Sequence, residues 1–375
     1  MVTATPHGQF GRLCRWAALI ALASACAAAN AQTTYQDVTN LKTDYDGFNL
    51  ISFGNADLES YGDTQGGLAV NGALTLGGTG VISQNVTTNN STLYVTGQLN
   101  LNGNTTLDSG YAYLPGLTKS QWTWNSSNQT LTSNTTGDAL NSSSSSAPNA
   151  KNNPISGTSA PTGINFNGTA LQTTFSGIST SLANAAATGT ISVSGQSLVF
   201  SSGSQTSGVV VFNLDVGSSA GAGVLSGDTY NNQAISNVSV NVPAGLTYVI
   251  NVVNAGGKTI FGSGVNLNSG TNDNQLLWNI EGSGTVTIGA QTGDTLYGSI
   301  LAPNATIDTS TVITGEVAAG GFSDCGVELH DTDFAPALVT TPEPGTYALW
   351  AIGICAAGIV FRRRQRREET SPLAV

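Results

Sequence analysis

The chain has 375 residues, which is enough for one large domain or for two or three small ones. Only 9% of the residues are charged, against about 25% in an ordinary soluble domain, whereas 39% are hydrophobic and 46 are glycine. The surface must therefore consist mainly of uncharged polar side chains, which argues against a coiled coil or a long helical protein. Residues 32–344 contain four lysines, no arginine and 20 acidic residues, a formal charge of 4 − 20 = −16. Such a body would repel phosphate backbones, so we expect no nucleic-acid binding.

Cysteine and histidine are too scarce for the metal sites that depend on them. Three of the four cysteines lie towards the ends of the chain, at Cys14, Cys26 and Cys355. Cys325 is the single cysteine of the body, so no disulfide can form within it. His330 is the single histidine of the body, because His7 lies near the N-terminus. This inventory excludes zinc sites built from several His and Cys ligands.

The N-terminus has the pattern of a secretory signal peptide over residues 1–31. Arg12 and Arg15 precede an apolar run from Trp16 to Ala29, and small residues follow at Ala29-Asn30-Ala31. Charge, length and small residues in this order predict cleavage by signal peptidase between Ala31 and Gln32. The alternatives are a buried N-terminal helix and a lipoprotein attached through Cys26.

The C-terminus combines a short motif, an apolar run and a basic cluster. Pro342-Glu343-Pro344 precedes fifteen apolar residues, 347–361, predicted to form a membrane helix. Fifteen residues at about 1.5 Å each span about 22 Å, short of a bilayer core of about 30 Å, and flanking arginines can extend that reach. The basic cluster consists of Arg362, Arg363, Arg364, Arg366 and Arg367. It predicts a cytoplasmic C-terminus and a body outside the inner membrane.

This tail, residues 342–367, resembles the PEP-CTERM sorting signal of Gram-negative bacteria. The resemblance implies that an exosortase recognises and removes the tail, so that the protein is released or re-anchored at the cell surface, often where exopolysaccharide is made. A plain C-terminal membrane anchor is the alternative interpretation.

The body contains many short apolar segments separated by Gly, Asn and Asp. Those predicted as strands include Leu68–Val70, Leu74–Leu76, Val81–Ile82, Leu93–Val95, Leu99–Leu101, Val238–Val242, Val249–Val253, Leu276–Ile280, Val286–Ile288, Ser299–Leu301 and Val312–Val317. Alternation over three to five residues is typical of strands with one buried face. Their spacing of about ten to twenty residues, without a fixed period, predicts an irregular β-solenoid, with a β-sandwich as the competing arrangement.

Two further segments interrupt this β pattern. Residues 118–163 are rich in Ser, Thr and Asn and are predicted to be a loop or disordered insertion. Residues 167–187 are predicted to form one long helix beside the β-structure. Its apolar positions are Leu171, Phe175, Ile178, Leu182 and Ala186. Asn165 or Asn167 is available as the N-cap, and Gly189 follows the end.

Residues 45–334 resemble the choice-of-anchor A domain through a series of short motifs in order. These are Phe48-Asn49-Leu50, Gly66 to Gly72, the helix region, Val211 to Leu214, Val242 to Gly245, Val249 to Val252, Leu277-Trp278-Asn279, Gly298 to Ala305, Gly315-Glu316-Val317 and Glu328-Leu329-His330. That family consists of bacterial surface or secreted proteins with varied anchors. Its second half is similar to the β-helix of ice-binding proteins, whose coils pack against one long helix. The resemblance implies a right-handed β-solenoid and supplies no catalytic residue.

The candidate sites are few. His330 with Asp331, Asp333 and Ser323 could suggest acid/base and nucleophile chemistry, but nothing nearby supplies an oxyanion hole, so a structural histidine is favoured. The densest group of acidic residues could bind calcium, with a solvated acidic edge as the default, and consists of Asp324, Glu328, Asp331 and Asp333. Trp122 and Trp124 could be sugar-stacking platforms if they are exposed.

The sequence thus predicts a non-enzymatic surface or secreted protein, adhesive or associated with an exopolysaccharide or biofilm matrix. No cofactor is expected apart from the possible calcium, and the expected partners are signal peptidase, exosortase, the inner membrane, polysaccharide and cell surfaces. One alternative is ice binding, which needs a flat face of regularly spaced threonines; Thr285-Val286-Thr287 does not recur at coil spacing. The other alternative is a glycan-cleaving enzyme with paired carboxylates, although no spacing singles out a pair.

Overall fold

The structure is a computed structural model that describes residues 34–337 except 35, 43–44, 46–47, 59–62, 84–90, 126, 128–129, 143–165, 290–292, 325 and 327. The chain divides into two compact units, Asp37–Leu338 on the one hand and Met1–Gln36 with Val339–Val375 on the other. Of the latter unit, only Thr34 and Gln36 are described. The predicted signal peptide, the Pro-Glu-Pro motif, the apolar run and the arginine cluster therefore lie outside the described residues, as does Cys325. No helix within the described part is both long enough and apolar enough to span a membrane.

The unit Asp37–Leu338 is mainly β, as predicted. Its described residues form three open sheets of sixteen, nine and four strands, together with a helical segment α1 over residues 36–42 and a helix α2 (Gly168–Ala183). The first strands are β1 (Phe48–Ser52), β2 (Ala56–Leu58), β3 (Asp63–Thr64), β4 (Gly67–Val70), β5 (Leu74–Gly77), β6 (Val81–Ile82), β7 (Ser91–Val95), β8 (Leu99–Asn102), β9 (Thr105–Leu107), β10 (Tyr111–Tyr113), β11 (Trp122–Asn125), β12 (Thr130–Ser133) and β13 (Ala139–Ser142).

After α2 follow β14 (Thr190–Ser194), β15 (Ser197–Ser201), β16 (Gly208–Val216), β17 (Val224–Ser226), β18 (Thr229–Tyr230), β19 (Gln233–Ala234), β20 (Asn237–Asn241), β21 (Leu246–Val253), β22 (Asn266–Thr271), β23 (Leu276–Ile280), β24 (Gly284–Ile288), β25 (Thr295–Tyr297), β26 (Ser299–Thr309), β27 (Val312–Thr314), β28 (Val317–Asp324) and β29 (Leu329–His330). Two short 3₁₀ turns lie at Lys119–Gln121 and Asp273–Gln275.

Strands pair in parallel with the equivalent strands of the next turn of chain. In the first part, β1 pairs with β4 and β4 with β7, while β2, β5 and β8 form a second series and β3, β6 and β9 a third. Leu50 therefore lies beside Leu68, 18 residues later, and Leu68 lies beside Leu93, 25 residues later. The uneven interval explains why the sequence shows no fixed period.

The first turns of the chain stack directly on the last ones. Strand β1 pairs in parallel with β28, and β3 pairs with β29, so residues near position 50 and near position 317 share one sheet. The long sheet runs in the order β10-β7-β4-β1-β28-β26-β23-β21-β16 before it ends in the short strands β17 to β19. Antiparallel hairpins, β11–β12–β13 and β17–β18–β19, terminate the parallel series and limit the exposed strand edges.

The central strands of the long sheet are buried on both faces, which accounts for their continuous apolar runs. One face contributes to the core enclosed by the sheets, where Leu50, Ile250 and Trp278 lie. The other face packs against α2 and α1 in a second cluster that includes Ile51, Val249 and Leu277.

Helix α2 begins after Asn167, whose side-chain Oδ1 accepts a hydrogen bond from the backbone N–H of Ala170 at 3.1 Å. Its buried apolar side chains are Phe175, Ile178 and Leu182, as predicted, with Leu171 partly buried against the same cluster. The helix ends at Ala183, four residues before the predicted end, and Ala186 is exposed beyond it. The apolar spacing that begins at Leu171 continues to Ala186, beyond the end of the helix. The helix stops earlier because the alanine adds too little buried apolar surface to hold another helical turn.

Two buried asparagines, Asn251 and Asn279, fix α2 to the long sheet. They lie side by side on β21 and β23 and form a ladder with the exposed Asn213 on β16. The Asn279 Nδ2 donates to Asn251 Oδ1 at 2.9 Å, and Asn251 Nδ2 donates to Asn213 Oδ1 at 3.1 Å. The same amides donate to two helix carbonyls, those of Ser179 at 3.0 Å and Leu182 at 2.8 Å. The Leu182 carbonyl also accepts the backbone N–H of Ala185 at 3.1 Å, so the ladder adds to the hydrogen bonds that close the end of the helix.

Glycines stack at one corner of successive turns, where backbones approach closely. A Cβ on Gly54 would lie 2.4 Å from the carbonyl O of Gly320, and one on Gly72 would lie 2.6 Å from that of Gly54. A Cβ on Gly97 would in turn lie 2.4 Å from the carbonyl O of Gly72. Part of the high glycine content is therefore a packing requirement of this corner.

Two predictions about local structure are wrong. Residues 118–142 were predicted as part of a loop but contain β11 to β13, because Trp122, Leu131 and Leu140 supply a buried apolar row within a Ser- and Thr-rich segment. Residues 143–165 of that predicted insertion lie outside the described residues. The predicted strand Val312–Val317 is two strands, β27 and the start of β28, because the chain turns at Gly315, whose φ of +150° favours glycine.

Candidate functional site

A row of small polar side chains crosses the outer face of the long sheet. We call it the polar row; it consists of Thr259, Thr287, Asp308, Ser323, Asp57, Thr75 and Asn100. Each member pairs in register with the next, the first two through an isolated bridge. All seven are partly or fully exposed, whereas their neighbours in the strands, such as Ile307, Phe322 and Leu74, are buried. Six intervals of about 4.8 Å make the row about 29 Å long.

Strand alternation produces this row without a threonine array. Thr285 and Thr287 pair with Thr306 and Asp308, and the next turn carries Gly321 and Ser323 at the same positions. The Thr-x-Thr pattern therefore ends after one coil, as the sequence analysis expected. The side chains offer hydroxyl, amide and carboxylate groups, which can exchange hydrogen bonds with hydroxyl-rich surfaces.

Sequence analysis did not identify the polar row. Its signal is present in each strand as a polar residue between two apolar ones, as in Leu74-Thr75-Leu76 and Leu99-Asn100-Leu101. These residues can be aligned only when the pairing of each strand with the strand of the next turn is known. The sequence does not reveal this pairing, because the number of residues per turn varies.

The predicted acidic group is divided between two sheets. Asp324 lies at the end of β28 in the long sheet, and Glu328 precedes β29 of the nine-stranded sheet. Asp331 and Asp333 follow β29 and lie near the buried Glu316. Within the described part of the chain, no group of three or more His, Cys, Asp or Glu residues is arranged to hold a metal ion. Calcium binding gains no support from this geometry and stays a prediction.

His330 lies on the outer face of the nine-stranded sheet and forms hydrogen bonds on both ring nitrogens. Its Nε2 lies 2.9 Å from a carboxylate oxygen of Glu328, and its Nδ1 lies 3.5 Å from the Thr314 hydroxyl. Ser323 belongs to the polar row of the long sheet and pairs there with Asp308 and Asp57. These hydrogen bonds engage both ring nitrogens with partners other than Ser323, and the structural role of His330 stays a prediction.

The two tryptophans do not form a sugar platform. Trp122 is 8% exposed, and Trp124 packs, partly buried, against the enclosed core. Both point inward because residues two apart in a strand share a face.

The most perturbed carboxyl group is Glu316, at the corner between β27 and β28. Its side chain is 3% exposed, and its Oε2 accepts a hydrogen bond from the backbone N–H of Phe334 at 2.9 Å. Burial raises the pKa of Glu316 to about 8, and the nearby Asp333 and Asp331 contribute in the same direction, whereas the hydrogen bond from Phe334 and, less strongly, Lys42 lower it. Burial also raises the pKa of Asp331 to about 6. Glu316 is therefore mostly protonated at neutral pH and holds residues 331–334 against the body.

This geometry predicts that stability falls as pH rises. A Glu316 pKa raised above its unfolded value of about 4.5 means that the folded state retains a proton that the unfolded state releases. The stabilisation is complete below about pH 4.5 and is lost as the pH rises to about 8, by up to about 1.4 kcal/mol per pH unit. The measurement is urea unfolding at pH 5 and pH 8.5. Glu316→Gln should flatten the dependence and be the more stable protein at pH 8.5; an unchanged dependence in that variant would assign it to other groups.

The family comparisons agree with a surface role. Residues 42–331 match a family described as "Putative Ice-binding-like adhesive domain", and because the match covers more than half of the chain, the chain belongs to this family. Residues 340–365 match the PEP-CTERM protein-sorting motif, which confirms that part of the sequence interpretation. The motif implies an exported, surface-directed protein that an exosortase processes. The name choice-of-anchor A is not among these matches.

Solved structures give a more distant likeness. The crystal structure of a glycosylated ice-binding protein, LeIBP, from Arctic yeast matches with a TM-score of 0.32 and 12% identity, covering 80% of this chain and 96% of that one. A second structure, on the antifreeze activity of LeIBP from Arctic yeast, matches with a TM-score of 0.31 at the same identity and coverage. The comparison with curated proteins gives no match.

Proposed function

We propose that the protein is a non-enzymatic surface adhesin that holds neutral, hydroxyl-rich polymers or cell surfaces through its polar row. The observation that carries this proposal is the row itself, seven polar side chains in register on neighbouring strands. Several such groups along one face favour many weak contacts over one deep site, and many copies on a cell would add avidity. The formal charge of −16 in residues 32–344 argues against anionic polymers as ligands.

We extend this proposal to the fold, the domain family and the natural setting of the protein. The parallel turns are those of a right-handed β-solenoid, supported by the three parallel series of strands. The sequence motifs support membership of the choice-of-anchor A group, and the exported precursor is held at the inner membrane by residues 347–361. The natural setting is the cell surface or the exopolysaccharide matrix of a biofilm.

A second candidate is ice binding, favoured by Thr285, Thr287 and Thr306 at adjacent outward positions. A glycan-cleaving enzyme remains a weaker alternative.

The function is tested by incubating the exported protein with exopolysaccharide from the same cells, with and without a chelator. We expect the protein to sediment with the polymer and to release no reducing ends. Loss of sedimentation in chelator would support calcium bridging. Release of reducing ends that vanishes on mutation of one carboxylate would replace the adhesin by an enzyme, and thermal hysteresis in a freezing assay would favour ice binding.

Processing gives a separate prediction. Mass spectrometry of exported protein should find an N-terminus at Gln32 and no peptide from residues 348–367, because signal peptidase and exosortase remove the two ends. Recovery of the intact tail in surface material would instead indicate a plain membrane anchor.

A further inference from the structure

An open cleft of about 730 Å³ lies where three neighbouring parallel strands of the long sheet end. Asp215 lies near the end of β16, Asn254 directly follows β21, and Glu281 directly follows β23. All three line the cleft, together with Lys258. A volume of this size is within the range of sites for small organic ligands.

The cleft has fixed polar groups. Asn254 Nδ2 donates to Asp215 Oδ1 at 2.8 Å, and Lys258 Nζ donates to the carbonyl O of Val216 at 2.6 Å. These bonds orient the side chains and leave capacity for a ligand, because a carboxylate has two acceptor oxygens and an ammonium has three N–H groups. Glu281 adds a second, exposed carboxylate.

Part of the lining of the cleft is backbone, since Gly217, Gly256 and Gly282 contribute no side chains. The glycine at 256 is required by packing, because a Cβ there would lie 2.4 Å from the carbonyl O of Ser283. Glycines in the lining permit close approach of a ligand to backbone N–H and C=O groups. No aromatic or large apolar side chain other than two valines is among the lining residues.

These features select a class of ligand. Two carboxylates against one ammonium give the lining a net charge of −1, which disfavours phosphate, sulfate and uronate groups. Carboxylate, amide and ammonium groups side by side suit pairs of sugar hydroxyls, which both donate and accept hydrogen bonds. We propose that this cleft binds a short, uncharged segment of an oligosaccharide through Asp215, Asn254 and Glu281.

The cleft is distinct from the polar row but adjoins it in the chain, because Lys258 directly precedes Thr259, the first member of the row. A polymer held along the row could therefore place one of its sugars in the cleft. Sugar binding in the cleft does not depend on the polar row, because each surface can bind sugar without the other. Variants of the cleft and variants of the polar row therefore test the two proposals separately.

The test is NMR titration of the full-length isotope-labelled protein with neutral tetrasaccharides of glucose, mannose and galactose, and with tetragalacturonate as the anionic counterpart. We expect saturable shifts of the Asn254, Gly256 and Gly282 amides with at least one neutral tetrasaccharide and none with tetragalacturonate. Asp215→Ala and Glu281→Ala should each weaken this binding about tenfold or more. Asp138→Asn, which removes a partly exposed carboxylate in the β12–β13 turn, should leave it unchanged.

Melting temperatures and the amide spectra show whether each variant is folded. If Asp215→Ala unfolds the protein, the Glu281→Ala variant still tests sugar binding in the cleft, because Glu281 is exposed and its loss should not disturb the fold. The proposal is overturned if none of the neutral sugars shifts these amides, if both cleft variants bind as the parent does, or if tetragalacturonate binds equally well. Ser323→Arg in the polar row should leave these shifts unchanged, because the cleft binds sugar without the row; loss of the shifts in that variant would overturn the proposal of an independent site.

Discussion

Leu182→Asp is expected to destabilise the protein by about 4 to 6 kcal/mol, a large part of the stability of an ordinary domain. Leu182 is fully buried near the end of α2, in the cluster that joins the helix to the long sheet. Its backbone carbonyl also accepts a hydrogen bond from Asn251. An aspartate there would lose the apolar contacts and bury an unpaired charge.

The matched control for this change is Thr173→Asp on the exposed side of the same helix. It introduces the same side chain without burial, so its effect should stay within about 0.5 kcal/mol. Urea unfolding of the two variants makes the comparison. Equal stability of Leu182→Asp and the parent would mean that α2 does not pack on the sheet.

The second large effect is expected for Gly97→Ala, which should cost about 3 kcal/mol. The added Cβ would lie 2.4 Å from both the carbonyl C and O of Gly72 on the neighbouring turn. Neither atom belongs to a flexible side chain, so the backbone of two stacked turns would have to move apart.

Gly177→Ala is the same substitution in an open position and serves as the control. Gly177 lies on the exposed side of α2, and a Cβ added there would meet no heavy atom within 4 Å beyond its own helical turns. Alanine should stabilise the helix there by about 0.5 to 1 kcal/mol. The two changes should therefore shift the melting temperature in opposite directions; shifts of the same sign would contradict the close stacking of turns.

The sequence predicts the elements better than their arrangement. Apolar alternation identifies short strands such as Leu74–Gly77, and the spacing of Phe175, Ile178 and Leu182 identifies the buried side of α2, because burial acts locally on each element. The Asn251–Asn279 ladder falls within motifs that the sequence analysis quoted, but its hydrogen bonds become visible only when the register of β21 and β23 is known.

The polar row and the cleft could not be predicted for the same physical reason. Asp57 and Ser323 are 266 positions apart in the chain, and they pair because the first turns stack on the last. Asp215, Asn254 and Glu281 come together only because their strands are parallel and in register. Glu316 lies in an ordinary Gly-Glu-Val sequence, and its burial depends on the return of residues 331–334.

Ser323→Arg is the most direct test of whether the polar row holds hydroxyl-rich polymer. Ser323 lies in the middle of the row between Asp308 and Asp57, so an arginine there would cover part of the row and pair with the neighbouring carboxylates. Ser192→Arg adds the same side chain at an exposed position of β14. The measurement is sedimentation of each exported variant with exopolysaccharide from the same cells. We expect about tenfold weaker retention for Ser323→Arg and parental retention for Ser192→Arg; equal retention of the two variants would show that the polar row does not hold the polymer.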